Sequence, residues 1–302
     1  MYVRNRFQLS NPGEAESMAS CWKAFGASVK GSSHNRTGKP NQDAIAWRNE
    51  IDEEHSVVLC VSDGHGSAKC FRSDKGSKFA VEAAVLNLSW AFQSLSADLT
   101  TLRQTAVEIL PRSILRSWQE KVKLDLLESP FTGDEREAVV QEAGLEAWLT
   151  VQQNPLHAYG ATLLAAAANR HVLITLQIGD GDILQVNNRG AVSRMNARKT
   201  PQFGEETASL CLPDAWQQID VVFKTIGERQ PALVLLSTDG YSNSFKSETG
   251  FLRVGGDILE ILREDGIDSL ALSLPKWLEE ASRLGSGDDV TLGLIVTPSA
   301  AL

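Results

Sequence analysis

Short apolar runs bounded by turn-forming residues are the most frequent pattern in this chain. Such runs are typical of β-strands, and they occupy residues 22–29, 44–47, 56–61, 161–168, 172–178, 183–186, 191–195, 220–226, 233–236 and 290–296. Between them lie Gly, Asn, Ser and Pro, which favour turns. The stretch 31–42 has this composition throughout and is predicted to be a turn-rich connection between the first two strands.

Helical spacing of apolar residues marks the remaining long segments. Phe79, Ala83, Leu86 and Trp90 recur three or four residues apart, which places one apolar stripe on a long helix. Further helices are predicted at residues 99–127, 134–150, 257–263 and 269–283. Pro111 is expected to kink or divide the first of these, because proline lacks the amide that a helix interior requires.

The order of these elements indicates the class of fold. Strands come first, followed by helices, many further strands, helices again and a last strand. This segregation is typical of antiparallel sheets covered by helices, an α+β layered domain, and argues against an alternating parallel sheet. Residues 1–20 are predicted to be an N-terminal arm and residues 21–298 a single domain. Residues 197–214 are predicted to be an irregular surface insertion.

Length and charge narrow the class of function. The chain has 302 residues, and its 29 basic and 38 acidic residues give a net charge of −9. Nucleic acid is therefore an unexpected partner. No run suits a membrane helix, and residues 1–20 lack the apolar core of a secretion signal, so a soluble protein without a membrane partner is expected. The four cysteines form no Cys-x-x-Cys pair, which favours a reducing cytoplasm.

Aspartates recur at the ends of the predicted strands. They are found at Asp63-Gly64, Asp180-Gly181 and Asp239-Gly240, each after an apolar run, and at Asp43 and Asp288, close before one. A single Asp-Gly pair is most simply a hairpin turn. Several of them at one rim of a sandwich would bring like charges together, and these need a compensating cation. Hard oxygen ligands favour Mg²⁺ or Mn²⁺ over Zn²⁺.

Six short motifs combine these aspartates with polar neighbours. They are Asn41-Gln42-Asp43, Val61-Ser62-Asp63-Gly64-His65-Gly66, Gly160-Ala161-Thr162, Gly179-Asp180, Leu236-Ser237-Thr238-Asp239-Gly240 and Asp288-Asp289-Val290-Thr291. In this order they resemble the motifs of PP2C-type (PPM) metal-dependent serine/threonine protein phosphatases, in their bacterial-like branch. The resemblance spans residues 22–296. It implies a PP2C-like β-sandwich of two antiparallel sheets flanked by α-helices, with two Mn²⁺ or Mg²⁺ ions at one end.

The resemblance also implies metal ligands. Asp63 would bridge both ions, Gly64 would offer its carbonyl to one of them, and Asp239 and Asp288 would hold the other. Asp43 and Gln42 would act near the metals, partly through water. Gln42 stands where many relatives have Glu. Asn243 stands where relatives often have an aspartate for a third, weaker metal, so Asp180 either binds such an ion poorly or caps its turn.

Hydrolysis of a phosphate ester needs an activated water and a proton donor. Two metals can lower the pKa of a bound water, which then attacks phosphorus. His65, next to the Asp63 ligand, is the candidate proton donor to the leaving alkoxide; the alternative is a solvent-exposed turn histidine. Relatives often carry a phosphate-binding arginine where this chain has Gly38. His34, Arg36 and Lys39 are the candidate replacements, or else ordinary solvated loop charges.

The sequence thus predicts a cytoplasmic enzyme that removes phosphate from serine and threonine in phosphorylated proteins. It does not identify the substrate or the cognate kinase. Two alternatives stay open: a catalytically silent relative that binds or regulates, and a phosphatase of small phosphoesters. A silent relative is expected to have lost a metal ligand, whereas Asp63, Asp239 and Asp288 are all present.

Overall fold

Two antiparallel sheets form the centre of the molecule. A computed structural model describes residues 22–52, 55–95, 98–196, 208–227, 230–297 and 300. The first sheet has the strand order β1 (Lys23–Val29), β10 (Val290–Val296), β9 (Leu233–Ser237), β6 (Asp182–Val186) and β7 (Val192–Arg194). The second has the order β2 (Ala44–Arg48), β3 (Val57–Ser62), β4 (Leu163–Ala168), β5 (Val172–Ile178) and β8 (Asp220–Thr225). The predicted α+β sandwich of antiparallel sheets is confirmed.

The strands are apolar on both faces because the central strands are covered on both sides. In β3, Val57, Leu59 and Val61 pack between the two sheets, whereas Val58 and Cys60 belong to the core under the helices. Every residue of β3 is buried. A strand with one solvated face would alternate apolar and polar residues, and this double burial explains why the runs in the sequence are continuous.

Helices flank both sheets. They are α1 (Ser32–Thr37), α2 (Ser73–Leu95), α3 (Leu99–Gln104), α4 (Leu110–Glu128), α5 (Gly133–Ala143), α6 (Leu145–Gln153), α7 (Asp239–Ser242) and α8 (Glu248–Leu284). Helices α2 and α4 share a core with the second sheet, and α8 shares one with the first. Short helical turns at Ala68–Cys70, Pro155–Tyr159 and Ala215–Gln218 complete the helical layers, with a π-helical turn at Thr105–Ile109. No helix in the described residues is long and apolar enough to cross a bilayer.

The apolar stripe predicted for α2 is wrong at two of its four positions. Leu86 and Trp90 are 64% and 52% exposed, so Trp90 is not a core residue. The buried face is formed instead by small residues, including Ala80 and Ala84, together with Leu88. Small side chains let the helix approach the sheet closely, which leaves the large ones on the solvent side.

Several boundaries also differ from the predictions. The stretch 31–42 contains α1, and the predicted helix at 134–150 is two helices separated at Gly144, whose φ is 85°. The two predicted C-terminal helices are the halves of α8, which Gly266 divides with a φ of 80°. Pro111 lies in the first turn of α4, after the π-helical turn, so the predicted division there is confirmed.

Two predicted segments lie wholly or partly outside the described residues. The N-terminal arm at 1–20 does so entirely, and the boundaries of the predicted domain stay a prediction. Of the insertion at 197–214, only 208–214 is described. Its residues Ser209, Leu210 and Cys211 are buried rather than at the surface, because the Leu210 amide donates to the Ala161 carbonyl and holds this segment against the core.

Candidate metal centre

Acidic residues at the ends of five strands lie at one end of the sandwich. In the second sheet the register pairs Ser62 with Ala44, so the end of β3 adjoins the start of β2. In the first sheet Ser237 pairs with both Leu292 and Asp182, so the end of β9 lies between the starts of β10 and β6. Antiparallel pairing therefore places the aspartates that follow one strand beside those that precede the next.

A cavity of about 430 Å³ opens at this end. Its lining is almost entirely polar and consists of Ser33, His34, Lys39, Gln42, Asp63, Gly64, His65, Gly66, Asp180, Asp239, Ser286, Asp288 and Asp289. Nine of the twelve residues that the sequence offered as site or phosphate-binding residues are among them. Asp43 is buried outside the lining, and Arg36 is exposed and does not line the cavity.

Asp63, Asp180 and Asp239 form one acidic cluster. Each offers a carboxylate oxygen, and these oxygens lie within 4.8 Å of one another. Burial, followed by the charges of Asp43 and Asp239, raises the pKa of Asp63 well above its usual range. Burial and the charge of Asp180 also raise the pKa of Asp239. The cluster is electrostatically unfavourable by itself, and a cation among these oxygens would relieve the repulsion.

Asp43 is a buried acid held by two threonines. The hydroxyls of Thr238 and Thr291 donate to its Oδ2 atom at 2.8 and 2.7 Å. Burial nevertheless raises its pKa to about 8, with the charges of Asp289 and Asp288 acting in the same direction. Both threonines belong to motifs quoted from the sequence, but their link to Asp43 depends on contacts across the fold.

Glycine is required at position 64 by the surrounding backbone. A Cβ atom there would lie 2.5 Å from the Ser73 carbonyl oxygen and 2.7 Å from that of Gln42. The Gln42 side chain donates to the Ser73 hydroxyl at 2.6 Å. The hydroxyl of Thr162 accepts from the Asp63 amide at 2.9 Å. These contacts fix the turn that carries Asp63.

Asp289 joins three parts of the site. It is only 4% exposed, and its Oδ1 accepts from the Gly31 amide at 2.6 Å. Its Oδ2 accepts from the Gln42 amide at 2.6 Å and lies 3.0 Å from His34 Nδ1. In the sequence, Asp289 belongs to the Asp288-Asp289-Val290-Thr291 motif, but no role was predicted for it. The one feature of the sequence that could have indicated a role for Asp289 is its position next to the predicted ligand Asp288.

His65 lies beside the acidic cluster with its ring against Gly160. The His65 amide donates to the Gly160 carbonyl at 3.0 Å. A Cβ atom at Gly160 would lie 3.0 Å from Cδ2 of the His65 ring. The Gly160-Ala161-Thr162 motif thus supports both His65 and, through Thr162, the turn of Asp63.

Three other predicted polar residues contact residues that line the cavity. Lys39 Nζ donates to the Gly66 carbonyl at 3.5 Å. His34 faces the carboxylates of Asp288 and Asp289. Asn243 stands where relatives often have an aspartate for a third metal. Its side chain donates to Oδ2 of the predicted metal ligand Asp239 at 3.0 Å.

A family model described as protein phosphatase 2C matches residues 30–279. The chain belongs to the protein phosphatase 2C (PP2C) family. The match covers the whole second sheet, strands β6, β7 and β9 of the first, and every residue that lines the cavity except Ser286, Asp288 and Asp289. No curated protein sequence matches the chain significantly.

Solved structures share the fold of this PP2C chain at low sequence identity. A bacterial serine phosphatase has 16% identity and a TM-score of 0.57, with 91% of this chain and 97% of that chain covered. The serine/threonine phosphatase PstP/Ppp of Mycobacterium tuberculosis has 15% identity and a TM-score of 0.54, with coverage of 91% and 98%. Stp1 from Staphylococcus aureus has 16% identity and a TM-score of 0.54, with coverage of 98% and 99%. At this identity the likeness shows the fold alone.

The PP2C family is metal-dependent, and the residues of this chain fit a divalent cation. Oxygen atoms dominate the donor set, which suits Mg²⁺ and Mn²⁺. Among the residues that the structure describes, two groups have the spacing of metal ligands: Asp63, Asp180 and Asp239 in one, and His34, Asp288 and Asp289 in the other. The role of each residue predicted from the sequence stays a prediction.

Proposed function

We propose that this PP2C chain hydrolyses phosphoserine and phosphothreonine in proteins, with two divalent cations, Mn²⁺ or Mg²⁺, at the described cavity. The observation that carries the proposal is the convergence of Asp63, Asp239 and Asp288 on one cavity. These three are 49 to 225 residues apart in the sequence. Local turn formation does not require such a gathering of charge, whereas a metal centre does.

The proposed ligands divide between the two ions. Asp63 would contact both, and Gly64 would add its main-chain carbonyl to one. Asp239 and Asp288 would hold the other ion. Asp43 would act through water, since its Oδ2 is already occupied by two threonine hydroxyls. Asp180 is the candidate ligand of a weak third ion.

When bound, such cations supply Lewis acidity and an activated water. The chain's own contribution is to position groups around the ester. His65 lines the cavity beside Asp63 and would donate a proton to the serine or threonine oxygen as it leaves. Its ring is set by the close approach of Gly160. Gln42, buried and bonded to Ser73, would hold the turn that carries His65.

The substrate phosphate needs a cationic or hydrogen-bonding partner. Lys39 lines the cavity and is the best-placed of the basic residues that the sequence offered. Arg36 is exposed and outside the lining, so it would reach a phosphate only on a substrate that extends beyond the cavity.

Cys60, Cys70 and Cys211 are buried free thiols. Free cysteines are typical of proteins in a reducing compartment, and this supports a cytoplasmic location.

The test is hydrolysis of a phosphothreonine peptide and an aryl phosphate, with Mn²⁺ or with chelator. Asp63→Asn removes a central charge, and Asp134→Asn, an exposed aspartate in α5, is the matched control. The proposal predicts metal-dependent turnover that Asp63→Asn abolishes and Asp134→Asn retains. No metal-dependent turnover by the wild type would favour a silent binding protein. Turnover of the aryl phosphate but not of the peptide would favour a phosphatase of small esters.

A further inference from the structure

His34 stands out because its imidazole faces acidic residues instead of solvent. It lies in α1, and its side chain is 13% exposed. Nδ1 is 3.0 Å from Asp289 Oδ2, and Nε2 is 3.9 Å from Asp288 Oδ1. Both of its ring nitrogens therefore lie near carboxylates of the segment just before β10. A residue whose task was to grip a phosphate would present a ring nitrogen away from such negative charge.

Asp289 determines which ring nitrogen carries the proton. Two main-chain amides, those of Gly31 and Gln42, already donate to its carboxylate at 2.6 Å each. A carboxylate only accepts hydrogen bonds, so His34 donates to it through Nδ1–H. In the neutral imidazole Nε2 then has a lone pair and no proton. This carboxylate–histidine arrangement is the one that orients histidine ligands in metal sites.

Nε2 of His34 lies 3.9 Å from Oδ1 of the predicted metal ligand Asp288. Nε2 and Asp288 Oδ1 are both acceptors in this arrangement, so no hydrogen bond joins them. Two ligands that are each about 2.2 Å from one cation can be at most about 4.4 Å apart. The observed 3.9 Å lies within that limit. A shared cation would turn two facing acceptors into a favourable pair.

Backbone contacts fix the position of His34 in advance. A Cβ atom at Gly31 would lie 2.5 Å from the carbonyl carbon of Asp288. The Ser33 amide and hydroxyl both donate to the Gly287 carbonyl, at 2.9 and 2.6 Å. Helix α1 is thus attached directly to the segment that carries Asp288 and Asp289. Such preorganisation is what a first ligand shell requires.

We infer that His34 is a nitrogen ligand, through Nε2, of the cation that Asp288 holds, with Asp289 orienting its ring. This inference rests on the proposed function, because it requires a metal centre in the cavity. It assigns His34 to the metal and not to the substrate phosphate. One imidazole among oxygen ligands shifts a site's preference from Mg²⁺ towards Mn²⁺ and the later transition metals.

Pulsed electron paramagnetic resonance of bound Mn²⁺ tests this inference without an activity assay. The metal is added to one and then two equivalents, in protein with natural histidine and in protein labelled with ¹⁵N-histidine. The inference predicts an echo modulation from a directly bound histidine nitrogen that changes with the label. It should persist in His65→Gln, which keeps the other four histidines, and disappear in His34→Ala.

The outcomes separate the two proposals. Bound Mn²⁺ without histidine coupling at either loading would overturn the role of His34 and leave the metal centre intact. Coupling that is lost in His65→Gln but kept in His34→Ala would also overturn it. A wild-type protein that binds no Mn²⁺ would overturn both proposals. If His34→Ala does not fold, the wild-type labelling together with His65→Gln still decides the question, because His34 and His65 are the two histidines among the residues described as lining the cavity.

Metal affinity gives a second measurement. Calorimetric titration of His34→Ala should show Mn²⁺ binding weakened by at least about 10- to 100-fold, since the loss of even an outer-shell partner of a metal ligand has an effect of that size. Mg²⁺, which prefers oxygen ligands, should lose less. Equal losses for both ions would contradict a nitrogen ligand and indicate that His34 acts only through the packing of α1.

Discussion

Gly240 lies directly against the main-chain carbonyl of Asp289. A Cβ atom at Gly240 would be 2.0 Å from that oxygen and 3.4 Å from Cβ of Asp288. The close approach brings the turn that carries Asp239 next to the segment that carries Asp288. Two proposed ligands from different parts of the chain thus depend on the absence of one side chain.

We expect Gly240→Ala to force these segments apart. The free energy of unfolding should fall by about 1–3 kcal/mol, the usual cost of overpacking, and Mn²⁺ should bind more weakly. Urea denaturation and calorimetric titration measure the two effects. Gly133→Ala is the control, since a Cβ at that exposed position meets no atom within 4 Å. Unchanged Mn²⁺ affinity in Gly240→Ala would contradict this account of the site.

Asp43 should make the metal-free protein less stable as the pH rises. Its pKa in the folded protein is raised to about 8, against about 3.9 in an unfolded chain. The folded state therefore keeps a proton that the unfolded chain loses between these values. The stabilising contribution of Asp43 is complete below pH about 4 and is lost as the pH rises through about 8.

The measurement is urea denaturation in chelator at several pH values between about 5 and 9. The wild type should lose stability relative to Asp43→Asn across this range, because the amide has no proton to lose. Added Mn²⁺ should reduce the difference by compensating the ionised carboxylates. Parallel stability curves for the two proteins in chelator would show that Asp43 does not titrate in this way.

Local patterns in the sequence predicted the antiparallel sheets and most of the acidic residues of the site, and the resemblance to a family added the sandwich. Strands buried on both faces are continuous apolar runs, as in residues 57–61, and Asp63-Gly64 marks where such a run must turn. What local patterns could not show was that Asp63, Asp239 and Asp288 share one cavity. That expectation came from the order of the motifs, which reflects the whole fold.

The parts of the site that were missed depend on contacts between distant residues. His34 and Asp289 are 255 positions apart, and Thr238 and Asp43 are 195 apart. Neither pair has a spacing or composition that reveals it. The prediction of the buried face of α2 was wrong for a related reason. Periodicity shows that a helix is amphipathic, but it is the face with small residues that packs on the sheet, and Leu86 is therefore exposed.

Arg72 should contribute strongly to stability. Its side chain is 6% exposed, and it donates to both carboxylate oxygens of Glu135 at 2.7 and 2.9 Å and to the Tyr159 hydroxyl at 2.8 Å. Arg72→Ala leaves these partners without a cation, and we expect it to cost about 3–5 kcal/mol in urea denaturation. Arg116→Ala removes an exposed pair with Glu120 and should cost less than about 1 kcal/mol. Similar losses of stability in the two variants would contradict the prediction that the buried contacts of Arg72 stabilise the fold more than an exposed ion pair does.

His65→Ala should affect poor leaving groups most. A serine or threonine alkoxide needs a proton as it departs, whereas an activated aryl oxide does not. Turnover should fall by about 10²- to 10⁴-fold on the phosphothreonine peptide and by much less on the aryl phosphate. Steady-state rates at saturating Mn²⁺ compare the two. Equal losses on both substrates would remove His65 from the role of proton donor.

The central claim is that carboxylates far apart in the chain hold shared cations. Crystals grown with Mn²⁺ and measured near the manganese absorption edge test it most directly, since anomalous difference density locates the ions themselves. The account predicts two strong peaks in the cavity, one between Asp63, Asp239 and Asp288 and one beside Asp63 and the Gly64 carbonyl, each about 2.2 Å from its ligands. A cavity without anomalous density at saturating Mn²⁺, or peaks bound elsewhere, would contradict it.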